Sequence, residues 1–165
     1  MFYNFNKHYG AQKLLFLCAI GVLGFVYITE FVFGYNPCQL CLWQRYPWWI
    51  VAGICLLALL LSRHISSTLH FCLMRLNAMV LCGGGVIAGY HVGVEYQWWQ
   101  GLQSCNSGQN LPQTIDAFKS LLGQPIINQC AHVSWSFLDF SMAAWNGFLS
   151  FSLAIIVWFY AGTLK

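Results

Sequence analysis

Four apolar stretches constrain this chain more than anything else, because a helix that spans a bilayer needs about 20 mostly apolar residues. The first runs from Leu14 to Phe33, LLFLCAIGVLGFVYITEFVF, with Glu30 near its far end. The second covers residues 42–61 and contains WWIVAGICLLALLL, the strongest apolar run. The third covers 69–92 and carries Gly83-Gly84-Gly85, and the fourth is Ala143 to Ala161. Of 165 residues, 59% are hydrophobic and 7% are charged, against about 25% charged in soluble domains. The expected fold is an all-α membrane protein, one domain over 1–165, built as a four-transmembrane-helix bundle. A formal charge of +3 from seven basic and four acidic residues leaves no basic stripe, which argues against a nucleic-acid partner.

Lys7 and Lys13 precede the first stretch as they would in a signal peptide. Its apolar run is longer than an h-region, however, and no small-x-small cleavage site follows, so it is read as a span. Four spans put both termini on one side. Lys7, Lys13, Arg63, Arg75 and Lys165 then share that side, while Arg45 and Lys119 lie toward the other. This asymmetry places the termini and the Ser62–Ser67 link in the cytoplasm. Trp43, Trp48, Trp49, Trp98, Trp99, Trp135 and Trp145 cluster near the outer interface, as an aromatic belt does.

Two external loops follow, a short one at 34–41 and a long one at 93–142. In the long loop, Ile115, Phe118, Leu121 and Leu122 have helical apolar spacing among polar Gln113, Asp116, Lys119 and Ser120. An interfacial helix in contact with membrane lipid is expected there, a loop helix packed on the bundle being the alternative. Gly85 and Gly89 form a small-xxx-small pair suited to close helix packing.

The eight cysteines divide by position. Cys18, Cys55, Cys72 and Cys82 fall within or at the ends of spans and are expected to act as small hydrophobes. Cys38, Cys41, Cys105 and Cys130 lie outside, where disulfides persist. A zinc site is disfavoured, since the second pair is 25 residues apart by number (105 and 130) and His132 is the only nearby extra ligand. No metal is expected. Cys105 and Cys130 alone suit a loop staple. A C-x-x-C pair closes too short a loop to be one, and is the usual form of a reversible dithiol. The second span begins near Cys41, so the helix N-terminus gives the pair an electropositive setting. Arg45, four residues after Cys41, either anchors the span or stabilises a thiolate or an anionic cofactor at Cys41.

These residues resemble the DsbB family of disulfide bond formation proteins over nearly the whole chain. The resemblance rests on Pro37-Cys38-Gln39-Leu40-Cys41 with Gln44-Arg45-Tyr46-Pro47, on Gly89-Tyr90-His91-Val92-Gly93-Val94-Glu95, and on WSFLDFSMAAWN at 135–146. Two positions depart from the pattern. Asp139 stands where many members have glycine, and Gln44 replaces an acid that some carry.

The resemblance implies an inner-membrane protein dithiol:quinone oxidoreductase with periplasmic cysteines, supporting disulfide formation in exported proteins. A reduced periplasmic thioredoxin-fold partner, DsbA-like, would attack a Cys105–Cys130 disulfide at Cys105. The Cys130 thiolate would attack Cys38 and free Cys41, and the electrons would pass to ubiquinone or menaquinone. Arg45 and His91 are the implied cofactor-binding residues, and Glu30 and Glu95 are read as interfacial polar residues. The rivals are a non-enzymatic tetraspan with static loop disulfides, an outward reductase and a vitamin-K-epoxide-reductase-like enzyme. The last carries its C-x-x-C in a late span, and the outward reductase needs cysteine pairs within the spans.

Overall fold

The computed structural model describes residues 2–62, 66–102, 130, 131, 133 and 135–163. Among them are four helices and a hairpin: α1 (Phe2–Phe31), α2 (Gln39–Leu60), α3 (Ser67–Glu95), β1 (Ser136–Phe137), β2 (Phe140–Ser141) and α4 (Met142–Thr163). The expected interfacial helix around Ile115–Leu122 lies outside the described residues, as do Arg63, Cys105, Lys119, His132 and Lys165.

Each expected span overlaps one helix, with shifted ends. α1 starts well before Leu14, because residues 2–13 contain no proline and only Gly10 as a weak breaker. It ends where Gly34 takes a left-handed φ of 72° and the Tyr35 N–H turns back to the Thr29 carbonyl at 3.2 Å. Ser66 caps α3, its hydroxyl accepting from the Leu69 N–H at 3.3 Å.

Three segments are long and apolar enough to cross a membrane: Tyr9–Phe31, Ser67–Glu95 and Met142–Thr163. α2 falls short by composition, since Gln44, Arg45, Pro47 and several aromatic residues crowd its first half. Those two polar residues are nevertheless buried inside the protein, at 7% and 9% exposure. The outward face of α2 is left to Ile50, Leu56, Leu57 and Leu60, all exposed.

All four helices feed one apolar core: Leu15, Ala19 and Leu23 of α1; Val51, Ala52 and Cys55 of α2; Met74, Ala78 and Leu81 of α3; Ala154, Val157 and Ala161 of α4. Meanwhile Leu14, Leu17, Phe25, Phe148, Ile155 and Phe159 point outward. That inversion of a soluble protein's pattern suits a chain solvated by lipid. Cys55 is a core residue, as expected. Cys72 and Cys82 are exposed on α3 instead of packed. Trp48 also departs from expectation: it is 2% exposed and belongs to the core, whereas Trp43, Trp49, Trp98, Trp99 and Trp145 remain at the surface.

Close approach between helices depends on Gly85, one member of the expected pair, and on Gly84, not on Gly89. A Cβ on Gly85 would lie 2.8 Å from the Phe151 ring, and one on Gly84 would lie 3.0 Å from Pro47. Gly89 faces open space. Pro47 is thus seated against the missing side chain of Gly84, which lets α2 and α3 approach at the helix's weakest hydrogen bond.

Two turns shape the long loop. After α3, Trp99 folds back so that its indole N–H donates to the Tyr90 carbonyl at 3.1 Å, and its ring occupies the space a Gly93 side chain would need. Before α4, β1 and β2 pair Ser136 with Ser141 and Phe137 with Phe140 around Leu138 and Asp139, whose φ values are 52° and 62°. Two positive φ values at the centre of a two-residue hairpin are the signature of a mirror-image turn. Aspartate tolerates the left-handed region that this turn requires at position 139, which glycine would adopt freely.

Candidate active site

The chain enters α2 through Pro37 and Cys38. Cys38 is the N-cap, with φ −78° and ψ 171°, and its sulfur accepts the Cys41 backbone N–H at 3.2 Å. Its carbonyl accepts the first helical bond, from Leu42 at 3.1 Å. The N-cap side chain and the third helical residue face each other at any helix start. A C-x-x-C pair placed there therefore brings its sulfurs together by local geometry alone. The two sulfurs lie 2.8 Å apart, within hydrogen-bond reach of each other, and both cysteines are free.

α3 contributes His91 from across the interface. Its Nε2 is 3.5 Å from the Cys38 sulfur, and its Nδ1 is 2.7 Å from Gln44 Nε2. Gln44 in turn accepts from Asn146 Nδ2 at 2.7 Å, and Asn146 Oδ1 accepts the Trp48 indole N–H at 2.8 Å. Glu95, one helical turn beyond His91, sits 3.8 Å from Nε2 and accepts the Ser141 hydroxyl at 2.5 Å.

Cys130 is 1% exposed and packs with Cys38, Leu40 and Val94, with Cys41, Tyr90 and Leu102 around them. Cys130 is disulfide-bonded, in contrast to the free Cys38 and Cys41. Its backbone carbonyl also meets the His91 ring. The tertiary structure thus gathers Cys38, Cys41, Cys130, His91 and Arg45 in one region. Cys105 lies outside the described residues.

The two thiols of the close pair are unequal. The Cys41 thiol, donating to it, is the largest cause holding Cys38 down at about 5; His91 and the Cys41 N–H add to it, and burial opposes. Cys41 is pushed up, first because it is the donor in that contact, then by burial. From sequence the electropositive setting covers the pair, with Arg45 placed beside Cys41. In the structure it falls on Cys38, because three donors converge on the N-cap sulfur.

Arg45 has another engagement. Its Nη1 lies 2.6 Å from Glu30 of α1, and its guanidinium stands 5.0 Å from the Tyr27 ring centre. Glu30, Cys38, Cys41, Arg45, His91 and Glu95 all border one cleft of about 70 Å³. Arg45 Nε, buried, has no hydrogen-bond partner among the described residues.

Cys38, Cys41 and His91 also bring three ligand atoms within 4.8 Å of one another. Among the described residues the histidine near the cysteines is His91; His132, considered from sequence, lies outside them. Gln44, Asn146, Trp48 and the Glu30 partnership were not anticipated as site features. The available signal was polar side chains inside apolar stretches, which are costly unless they find partners.

Residues 10–160 match the family described as "Disulfide bond formation protein DsbB". The chain belongs to the DsbB family. It is 31% identical over 140 residues to disulfide bond formation protein B 2 of Pseudomonas entomophila, covering 79% of this chain and 76% of that one. Against disulfide bond formation protein B of Acinetobacter baumannii, identity is 29% over 150 residues, 88% of this chain and 86% of the relative. The corresponding Xylella fastidiosa protein is 29% identical over 147 residues, 86% and 82% of the two chains. No solved structure matches the chain significantly. This DsbB-family protein is accordingly a membrane protein of disulfide bond formation.

Proposed function

We propose that this chain is an inner-membrane enzyme that reoxidises a periplasmic, DsbA-like thioredoxin-fold protein and passes the electrons to ubiquinone or menaquinone. The observation that carries the reading is the burial of a disulfide-bonded Cys130 against the free Cys38/Cys41 pair at the start of α2. A disulfide-bonded cysteine packed in one cluster with a separate dithiol is what electron relay by thiol–disulfide exchange requires.

The cysteines act in sequence. A partner thiolate attacks the Cys105–Cys130 disulfide at Cys105, forming a mixed disulfide and releasing Cys130 as thiolate. With the Cys38–Cys41 disulfide formed, Cys130 attacks Cys38, and the electron pair of the broken bond leaves on Cys41. The partner's second thiol then expels Cys105, so the partner departs oxidised. Cys105 attacks Cys130, and Cys38 leaves as thiolate. The relay has now moved two electrons onto Cys38 and Cys41, whose oxidation back to the disulfide releases two electrons and two protons.

A quinone, when bound, accepts those two electrons and two protons. Arg45 fits such a group as a donor: Arg45 and His91 both border the cleft that Cys41 lines, and Arg45 Nε has no hydrogen-bond partner among the described residues. A cavity of about 150 Å³ holds a benzene ring. The cleft here is about half that, too small to enclose a whole quinone ring. Burial of Gln44 and Arg45 supports α2 as a fourth span, its 22 residues giving about 33 Å against a hydrocarbon core of about 30 Å. The topology we propose is a four-span bundle with cytoplasmic termini, spans near 14–33, 42–61, 69–92 and 143–161, periplasmic loops at 34–41 and 93–142, and an interfacial helix in the second.

The test is to mix purified protein with a soluble quinone analogue and a reduced periplasmic thioredoxin-fold protein. Quinone absorbance should fall with one quinone consumed per partner disulfide formed. Cys41→Ser should abolish that consumption; quinone reduction that persists in this variant would refute the reading.

A further inference from the structure

The hydrogen bonds linking Trp48, Asn146, Gln44 and His91 run in one direction only, and that direction is set far from the sulfurs. An indole N–H donates and never accepts. Opposite Trp48, Asn146 must therefore present Oδ1, at 2.8 Å, which leaves its Nδ2 to face Gln44 at 2.7 Å. Gln44 must then present Oε1 to Asn146, so its Nε2 faces His91 Nδ1, at 2.7 Å. An amide nitrogen has no lone pair to offer, so Nδ1 is the acceptor. The ring proton then has one place left, Nε2, which is 3.5 Å from the Cys38 sulfur. Assigning amide and imidazole orientations normally requires a choice among networks; here the donor-only indole removes the choice.

We infer that Trp48, Asn146 and Gln44 are positioning residues that hold the His91 proton on Nε2, keeping His91 a neutral, permanent hydrogen-bond donor to Cys38. The inference rests on the proposed relay only in giving that bond a purpose. Cys38 departs as thiolate when Cys105 attacks Cys130, and a donor aimed at its sulfur stabilises the departing charge. A lower-pKa thiol leaves faster, and stabilising the reduced pair makes its disulfide a stronger oxidant.

The same arrangement bears on metals. Cys38, Cys41 and His91 stand close enough to share an ion, but a histidine ligand needs a bare nitrogen. With Nε2 protonated, His91 cannot serve from the side facing the sulfurs. Ligation of zinc by His91 together with the dithiol would require the ring proton to leave Nε2 and the Gln44 amide to turn over.

Asn146→Asp tests the inference without touching His91 or either cysteine. A carboxylate still accepts from Trp48 but cannot donate to Gln44. The Gln44 amide then turns over, its oxygen faces Nδ1, and the proton moves there, leaving a lone pair against Cys38. Gln44→Glu acts differently: its carboxylate draws a proton onto Nδ1 while the Cys38 thiolate keeps one on Nε2. The two substitutions each add a carboxylate, yet they are expected to move Cys38 in opposite directions.

The readout is nitrogen NMR of histidine-labelled full-length protein in detergent with the dithiol reduced, His91→Gln assigning the signal. Thiolate ultraviolet absorbance against pH follows Cys38 in the same samples. Wild type should show a protonated Nε2 and a bare Nδ1 at neutral pH. Asn146→Asp should reverse them and raise the Cys38 midpoint by at least a factor of ten in proton affinity. Gln44→Glu should protonate both nitrogens without raising the midpoint. A wild-type proton on Nδ1, or an unchanged tautomer in Asn146→Asp, overturns the inference. If Asn146→Asp does not fold, a Gln44→Glu protein whose His91 keeps a bare Nδ1 overturns it. Neither partner nor quinone is present, so this outcome is independent of whether quinone is reduced.

Discussion

Arg45 of α2 holds Glu30 of α1 at 2.6 Å, in a pair whose side chains are 10% and 22% exposed. The contact fastens α1 to α2 beside the cleft that both residues line, and Arg45 Nε has no hydrogen-bond partner among the described residues. Removing one member of a buried pair strands the other charge, at a cost of about 3–5 kcal/mol. Glu30 is partly exposed, so Glu30→Gln should destabilise by about 3 kcal/mol, at the low end of that range. Thermal unfolding in detergent measures this. A shift indistinguishable from that of a neutral surface substitution would show that Glu30 does not neutralise Arg45.

Arg45→Ala should slow quinone reduction at limiting quinone more than at saturating quinone. It removes a donor at the cleft while leaving Cys38, Cys41 and His91 in place. Identical kinetics at low quinone would remove Arg45 from the cofactor site.

The inequality of the two thiols has a measurable pH signature. Cys38 is held at about 5 while Cys41 is pushed up, with His91 and Glu95 also facing the pair. Above pH 5 the reduced pair therefore carries one proton, on Cys41, and below it two. The thiolate stabilises the reduced form above pH 5, and this contribution is lost as pH falls through that value. The reduction potential should fall by about 30 mV per pH unit above pH 5 and about 59 mV per unit below it. Redox titration against a thiol buffer at several pH values reads the break, and a single slope of 59 mV across that range would contradict the assignment.

Gly93 and Gly89 should respond oppositely to alanine. A Gly93 side chain would occupy the space of the Trp99 ring, whereas Gly89 faces nothing. Gly93→Ala should displace Trp99 from Tyr90 and destabilise by about 1–3 kcal/mol. Gly89→Ala should be neutral or stabilise by up to about 1 kcal/mol. Comparing unfolding midpoints of the two variants separates a tight turn from general intolerance of this helix end.

Cys105→Ser should block attack by the partner dithiol while sparing quinone affinity. Binding of a quinone analogue, followed by fluorescence quenching of the clustered tryptophans, reads the second property. Affinity lost together with partner oxidation would contradict the division of labour between the cysteine pairs.

The parts legible in sequence were those governed by short-range rules. Apolar length located the helices, although α2 was placed by a run that is less apolar on average than it looks beside Gln44 and Arg45. A proline before C-x-x-C announced a helix start, and an N-cap lies beside its third helical residue whatever the rest of the fold does. Gly89 and Trp48 were misread because sequence shows which residues share a face but not which neighbour that face meets. Gly85 meets Phe151 and Gly89 meets nothing, at positions that look alike in a periodicity.

The sequence alone determined that the chain is built of long apolar helices and that a dithiol sits at the start of the second. Both follow from local physics, lipid-length apolarity and the i, i+3 geometry of a helix cap. Only the tertiary structure brought His91 to the Cys38 sulfur, beside the two local donors from Cys41. That third donor depends on contacts between residues 47, 53 and 102 positions apart. A sulfur's proton affinity is set by the charges and donors within a few ångströms, and packing of α2 against α3 and α4 chooses them.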